Sequence, residues 1–115
     1  MLISGDVVDL DLGLPQGHEA GFRHPVVVVV SAQRILNAGP SVVYAVPLTS
    51  IVRGFHSEIT IEPDDHNGIA VRSAAQCQHL RAASTGRITA ARGNVGAATL
   101  AQIRETIAMM LDLAG

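Results

Sequence analysis

At 115 residues, 48% of them hydrophobic, the chain has the size of one domain with one ordinary core and is too short for two. Aromatic residues make up only 3%, so that core must be aliphatic, and the aromatic platform on which many proteins stack single-stranded bases is missing. The net charge of −2 excludes an overall pull toward nucleic acid or an anionic membrane.

All eight basic side chains are arginine, and five of them lie between His66 and Arg104 with no acid among them. Genomic composition bias is the plainer explanation of that choice, and the sharper one is that the planar guanidinium fork suits phosphate. Cys77 is the single cysteine, so no internal disulfide forms and the residue reads as a small buried hydrophobe. Met1 to Gly5 lacks the charged start and apolar stretch of a signal peptide. No apolar run approaches the roughly 18 residues that cross a bilayer. These features predict a soluble cytoplasmic protein without membrane association.

In chain order, residues 7–12 (Val-Val-Asp-Leu-Asp-Leu) alternate imperfectly with period two and predict a first strand whose wet face carries Asp9 and Asp11. Gly13 and Pro15 end it. A glycine-bracketed polar segment follows, Gly17-His18-Glu19-Ala20-Gly21-Phe22-Arg23-His24-Pro25, and empties into five consecutive valines, residues 26–30. The β-branched run is a strand, and proline, which cannot donate to a ladder, belongs at its first position. Residues 31–37 predict a short helical turn with Ser31 as its cap. Residues 41–46 predict a third strand stopped at Pro47, and Leu48-Thr49-Ser50 opens a second polar loop reaching His56. Residues 58–62 (Glu-Ile-Thr-Ile-Glu) alternate as a half-exposed strand should, with the acids outward; residues 63–68 are a turn, and 69–71 resume a strand. Residues 73–80 fit no single pattern, and 87–91 predict a last short strand ended by Gly93. From Ala97 the spacing of Leu100, Ile103, Ile107, Met110 and Leu111 is that of one helix face packed on a core, with Asn94 or Gly96 capping its start. Several short strands followed by one amphipathic helix predict a single domain over 1–115, a mainly β small barrel closed by a C-terminal helix.

Gly5-Asp6-Val7-Val8, Pro15-Gln16-Gly17-His18-Glu19, Arg23-His24-Pro25 with its valines and Ser31, Val46-Pro47-Leu48-Thr49-Ser50, residues 73–81, Arg87-Ile88 and Gly93-Asn94-Val95 stand in an order and spacing that resembles the MazF/PemK toxins of bacterial toxin–antitoxin modules. The resemblance runs from Gly5 to Leu113. It implies an SH3-like barrel with a helix, a homodimer, and a metal-independent endoribonuclease that cuts single-stranded RNA to 2′,3′-cyclic phosphate and 5′-hydroxyl ends. No cofactor is implied. A cognate antitoxin would wrap a disordered tail over the dimer and block the RNA groove. By the same resemblance Arg23 and Thr49 are catalytic residues, with His24 added to them for its own proton chemistry, while Gln16, His18, Glu19, Ser50, Arg53 and Gln78 are expected RNA contacts. Two departures stand out: the family places an arginine directly before the proline, where this chain has His24, and the family's Asp-Gln pair after the fifth strand is matched to Gln78-His79.

Metal-free RNA cleavage needs a base for the 2′-hydroxyl proton, an acid for the departing 5′-oxygen, and donors for the charge growing on the phosphoryl oxygens. Arg23 suits the last role, since its fork holds two oxygens; with a pKa above about 12 it is a poor proton donor. His24, about 6.5 when unperturbed, carries protons better. Thr49 offers a hydroxyl fixed at a strand end. His18, His24, His56, His66 and His79 show no zinc-like spacing with Cys77, the glycines form no phosphate-loop pattern, and neither Ser31 nor Ser50 sits in a nucleophile elbow. Two other functions fit the same barrel: a non-catalytic toxin that poisons a protein target such as DNA gyrase, and a degenerate homologue that only binds antitoxin.

Overall fold

The structure, a computed structural model, describes residues 1–13 and 24–113. Seven strands and two helices follow one another as β1 (Asp6–Leu10), β2 (Val26–Val29), α1 (Gln33–Asn37), β3 (Val42–Thr49), β4 (Glu58–Ile61), β5 (Ser73–Gln76), β6 (Arg81–Ser84), β7 (Ile88–Asn94) and α2 (Ala97–Met110), with single 3₁₀ turns at Cys77–His79 and Thr85–Arg87. The strands form one antiparallel sheet in the order β4-β5-β3-β2-β1-β7, and β6 pairs with the first half of β3.

The valine run explains the centre of this sheet. Successive strand side chains point to opposite faces. Val28 and Val30 join Val7 and Val46 on one face, under Leu100 and Ile103 of α2. Val27 and Val29 join Val8, Leu10, Val43 and Ala45 on the other, with Leu36 of α1 and Ala83 of β6. Strands covered on both faces need no polar alternation. Cys77 is buried in the helix-side cluster as expected, and burial pushes its thiol up to about 11.

The sheet curls without closing as a barrel. Its end strands, β4 and β7, are not paired with each other; the turn after β4 lies against the end of β7 instead, with the Asn94 amide donating to the His66 carbonyl at 2.9 Å. Asn67, 1% exposed, organises that turn: its Oδ1 accepts from Ile69 N and Asp64 N, and its Nδ2 donates to the Glu62 carbonyl. This turn is why the strand expected at 69–71 does not form. Ile69 is carried into the core while Ala70 and Val71 are exposed and unladdered.

Other boundaries shift for local reasons. β3 runs through Pro47 to Thr49 because its outer edge changes partner there, from β6 at Ala45 to β5 at Leu48, so the missing N–H breaks no ladder on that edge. β6, whose Arg-Ala-Ala-Ser sequence carries no β-branched residue, forms because β3 supplies a partner strand. Ser31 is not the helix cap, a place taken by Ala32; its Oγ accepts from Tyr44 N at 2.8 Å and ties the end of β2 to β3. Gly96 caps α2, with Asn94 Oδ1 accepting from its amide. Leu100, Ile103 and Thr106 are the buried positions of that helix, whereas Met110 and Leu111, expected in the core stripe, are exposed. No helix is long and apolar enough to cross a membrane among the described residues.

Gly93 marks the closest approach between β7 and the Asp64–Gly68 turn, since a Cβ there would stand 2.2 Å from the His66 carbonyl oxygen. Gly93→Ala must therefore move backbone and is expected to destabilise the fold by about 2 kcal/mol or more. Gly39→Ala, where φ is +65° but nothing lies within 4 Å, should cost about 1 kcal/mol from conformation alone. Urea midpoints of the two variants check the order.

Candidate functional site

The ladder between β2 and β3 ends at the pair Val27–Pro47, so Leu48 and Thr49 are paired on the β5 side only. A cleft of about 340 Å³ opens beside them, walled by Pro25 ahead of β2, Pro47, Leu48 and Thr49 of β3, Ile51 and Arg53 of the following loop, and Gln76 at the end of β5. Thr49 is half-buried, and its Oγ1 accepts from Ile51 N at 3.1 Å, the turn bond common for such a residue. That bond uses an acceptor site and leaves the hydroxyl proton to donate.

Beside the cleft lies a buried carboxylate. Glu58 heads β4 with a side chain 2% exposed, and three donors from three segments converge on its Oε2: Arg53 Nη2 at 2.6 Å, Gln78 Nε2 at 2.7 Å and Gln76 Nε2 at 3.2 Å. Among the described residues its Oε1 has no partner, nor does the equally buried Oε1 of Gln78. Burial pushes the Glu58 carboxyl upward, but the bonds from Arg53, Gln78 and Gln76 outweigh it and hold the group below its ordinary value. The Arg53 guanidinium is fixed a second time, with Cζ 4.3 Å from the centroid of the Phe55 ring.

His24 stands at the mouth of β2, exposed, with Nδ1 3.8 Å from Asp11 Oδ1. That same carboxylate oxygen accepts from Gly13 N at 2.8 Å, so Asp11 is held in place where the chain leaves β1.

Residues 3–111 match the sequence model of the PemK-like, MazF-like toxins of type II toxin–antitoxin systems. The chain belongs to this family. A Mycobacterium tuberculosis relative, endoribonuclease MazF9, is 31% identical over 98% of both chains. Among solved structures, an endoribonuclease from a mycobacterial species in complex with its cognate antitoxin superposes with a TM-score of 0.77 at 21% identity, over 100% of this chain and 99% of that one. MazF from Deinococcus radiodurans superposes with a TM-score of 0.71 at 25% identity, over 95% and 94%.

Of the residues expected to act, this MazF/PemK-like chain brings Thr49 and Arg53 into one cleft, with exposed Ser50 between them in sequence, and places Pro25, the neighbour of His24, in its wall. Gln78 lies in the 3₁₀ turn after β5, its amide nitrogen committed to Glu58. Arg23, Glu19, His18 and Gln16 lie outside the described residues. Among the described residues no group of three His, Cys, Asp or Glu side chains converges as a metal site.

Sequence reasoning missed Glu58 and Gln76. The clean alternation of residues 58–62 placed Glu58 on the wet face, yet it is buried, because residues 50–57 and the 3₁₀ turn cover the start of β4. The available signal was an arginine five residues before a strand-opening glutamate, followed by Gln76 and Gln78 two apart.

A carboxyl held below its ordinary value in the folded state contributes stability above its unfolded value, 4.5 here, and loses it as pH falls through the folded value. Glu58→Gln is therefore expected to destabilise the protein at neutral pH by about 1–3 kcal/mol, and the gap from wild type should narrow as pH falls below 4.5. Asp64, held low by the His66 and then the Asn67 amide, titrates in the same window in both proteins, so the comparison of urea midpoints across pH isolates Glu58.

Proposed function

We propose that this protein is the toxin of a type II toxin–antitoxin pair, an endoribonuclease that cleaves single-stranded RNA without a metal and is neutralised by a cognate antitoxin. The observation that carries this reading is the match of nearly the whole chain to a relative named as an endoribonuclease. The cleft supports it, since it joins a strand-end hydroxyl, a held guanidinium and the base of the segment that bears Arg23.

In the proposed reaction the 2′-oxygen attacks the adjacent phosphorus while the bond to the 5′-oxygen breaks, which leaves a 2′,3′-cyclic phosphate and a 5′-hydroxyl. The 2′-proton passes to a base, and a proton is delivered to the 5′-oxygen. DNA lacks this nucleophile and should be inert. Arg23, two residues from the cleft wall at Pro25, holds the phosphoryl oxygens in a charge-assisted fork. Thr49 donates its hydroxyl to one of them. His24, whose Nδ1 lies 3.8 Å from Asp11 Oδ1, carries the proton. Gln16, His18, Glu19, Ser50, Arg53 and Gln78 contact the flanking RNA. The protein works as a homodimer in the cytoplasm, where its RNA and antitoxin are made. Exposed Val42, Tyr44, Met109 and Met110 supply apolar surface for association.

Antitoxin-free protein incubated with a long mixed-sequence RNA in EDTA should cut it and leave cyclic phosphate ends, and the matching DNA should survive. Arg23→Ala and Thr49→Ala are each expected to lower the rate by about 100-fold or more. His24→Ala should lower the rate as well, since it removes the proposed proton carrier. Intact RNA from a protein that still arrests growth would overturn the reading in favour of a toxin that binds a protein target.

A further inference from the structure

Arg53 is a surface residue whose guanidinium is held from two directions. Its Nη2 donates to the buried Glu58 carboxylate and its planar group lies over the Phe55 ring. An arginine side chain on a loop ordinarily samples many rotamers, and binding an anion then requires that freedom to be lost. Here it is lost already. One Nη2–H is committed to Glu58, and the side chain stays 41% exposed in the wall of the cleft that contains Thr49.

The carboxylate doing the holding is unusual. A buried ion costs several kcal/mol to desolvate, and sharing three donors over both oxygens would satisfy it better than loading them on one. Instead Oε2 takes Arg53, Gln76 and Gln78 together, while among the described residues Oε1 has no partner. The arrangement draws the loop after β3, the end of β5 and the 3₁₀ turn after it to a single point. Gln76, like Arg53, also faces the cleft. Pre-setting groups that meet a ligand is what such a hub accomplishes.

We propose that Glu58 is a positioning residue for RNA binding: it acts through Arg53, holding the guanidinium so that its remaining N–H donors grip a phosphate of the RNA next to the one at Thr49. The inference rests on the ribonuclease reading. It assigns Glu58 no contact with RNA and no proton transfer, and it places the benefit in substrate binding more than in the chemical step.

Initial cleavage rates of the mixed-sequence RNA, measured against RNA concentration in EDTA, test this with wild type, Glu58→Gln, Arg53→Ala and the double variant. Loss of a pre-set charged contact should raise KM by about ten-fold in either single variant, with kcat altered less. Because Glu58 acts through Arg53, the double variant should be no worse than Arg53→Ala alone. Arg53→Lys, a surface change that keeps the charge and loses the fork, should resemble Arg53→Ala, and it decides the matter if Glu58→Gln does not fold. Effects that multiply in the double variant, a KM unmoved by Glu58→Gln, or an Arg53→Lys protein equal to wild type would each overturn the assignment while leaving the ribonuclease in place. A wild-type protein that cuts no RNA would remove both.

Discussion

Burial of β2 on both faces, between its neighbours β1 and β3, is the constraint from which the rest follows. With Val7, Val28 and Val46 under α2 and Val8, Val27 and Val43 on the opposite side, the central strand β2 has no free face on which to carry a polar group. Chemistry is pushed to strand ends, where backbone donors and acceptors run out of ladder partners and loops must take over. Thr49 at the end of β3, His24 ahead of β2 and Glu58 at the head of β4 all occupy such positions.

The change of partner along β3 then decides where the cleft lies. The strand gives up β6 after Ala45 and takes β5 from Leu48, and on its other edge the ladder to β2 stops at Pro47. A proline tolerates this crossing because no bond is asked of its nitrogen. Leu48 and Thr49 emerge with one open edge, and the loop that follows carries Arg53 back toward β4, where Glu58 receives it. A single strand thus supplies one wall of the cleft and the start of the loop that supplies another.

Much of the architecture was legible in the chain. β-Branched runs marked β2 and β3, period-two alternation marked β4, and helical spacing marked α2, since these patterns report local backbone preference and one-sided burial directly. The strand at 69–71 was misread because Asn67 draws three backbone groups of its turn to itself, a bond set with no periodicity. β6 was unreadable because alanines hold no strand preference of their own. Met110 and Leu111 continued the helical stripe in sequence, but a helix face is buried only as far as its partner surface extends.

The site divides in the same way. Residue types, order and spacing determined by themselves that the chain is a MazF/PemK-like toxin and that Thr49 and Arg53 stand close together after β3, because strand-end loops are short and their residues stay neighbours in space. Only the tertiary structure decided that Glu58 turns inward to bind Arg53, Gln76 and Gln78 at one oxygen. Whether a carboxylate on an alternating strand meets water or protein depends on what the distant segments lay over it, and no local pattern records that.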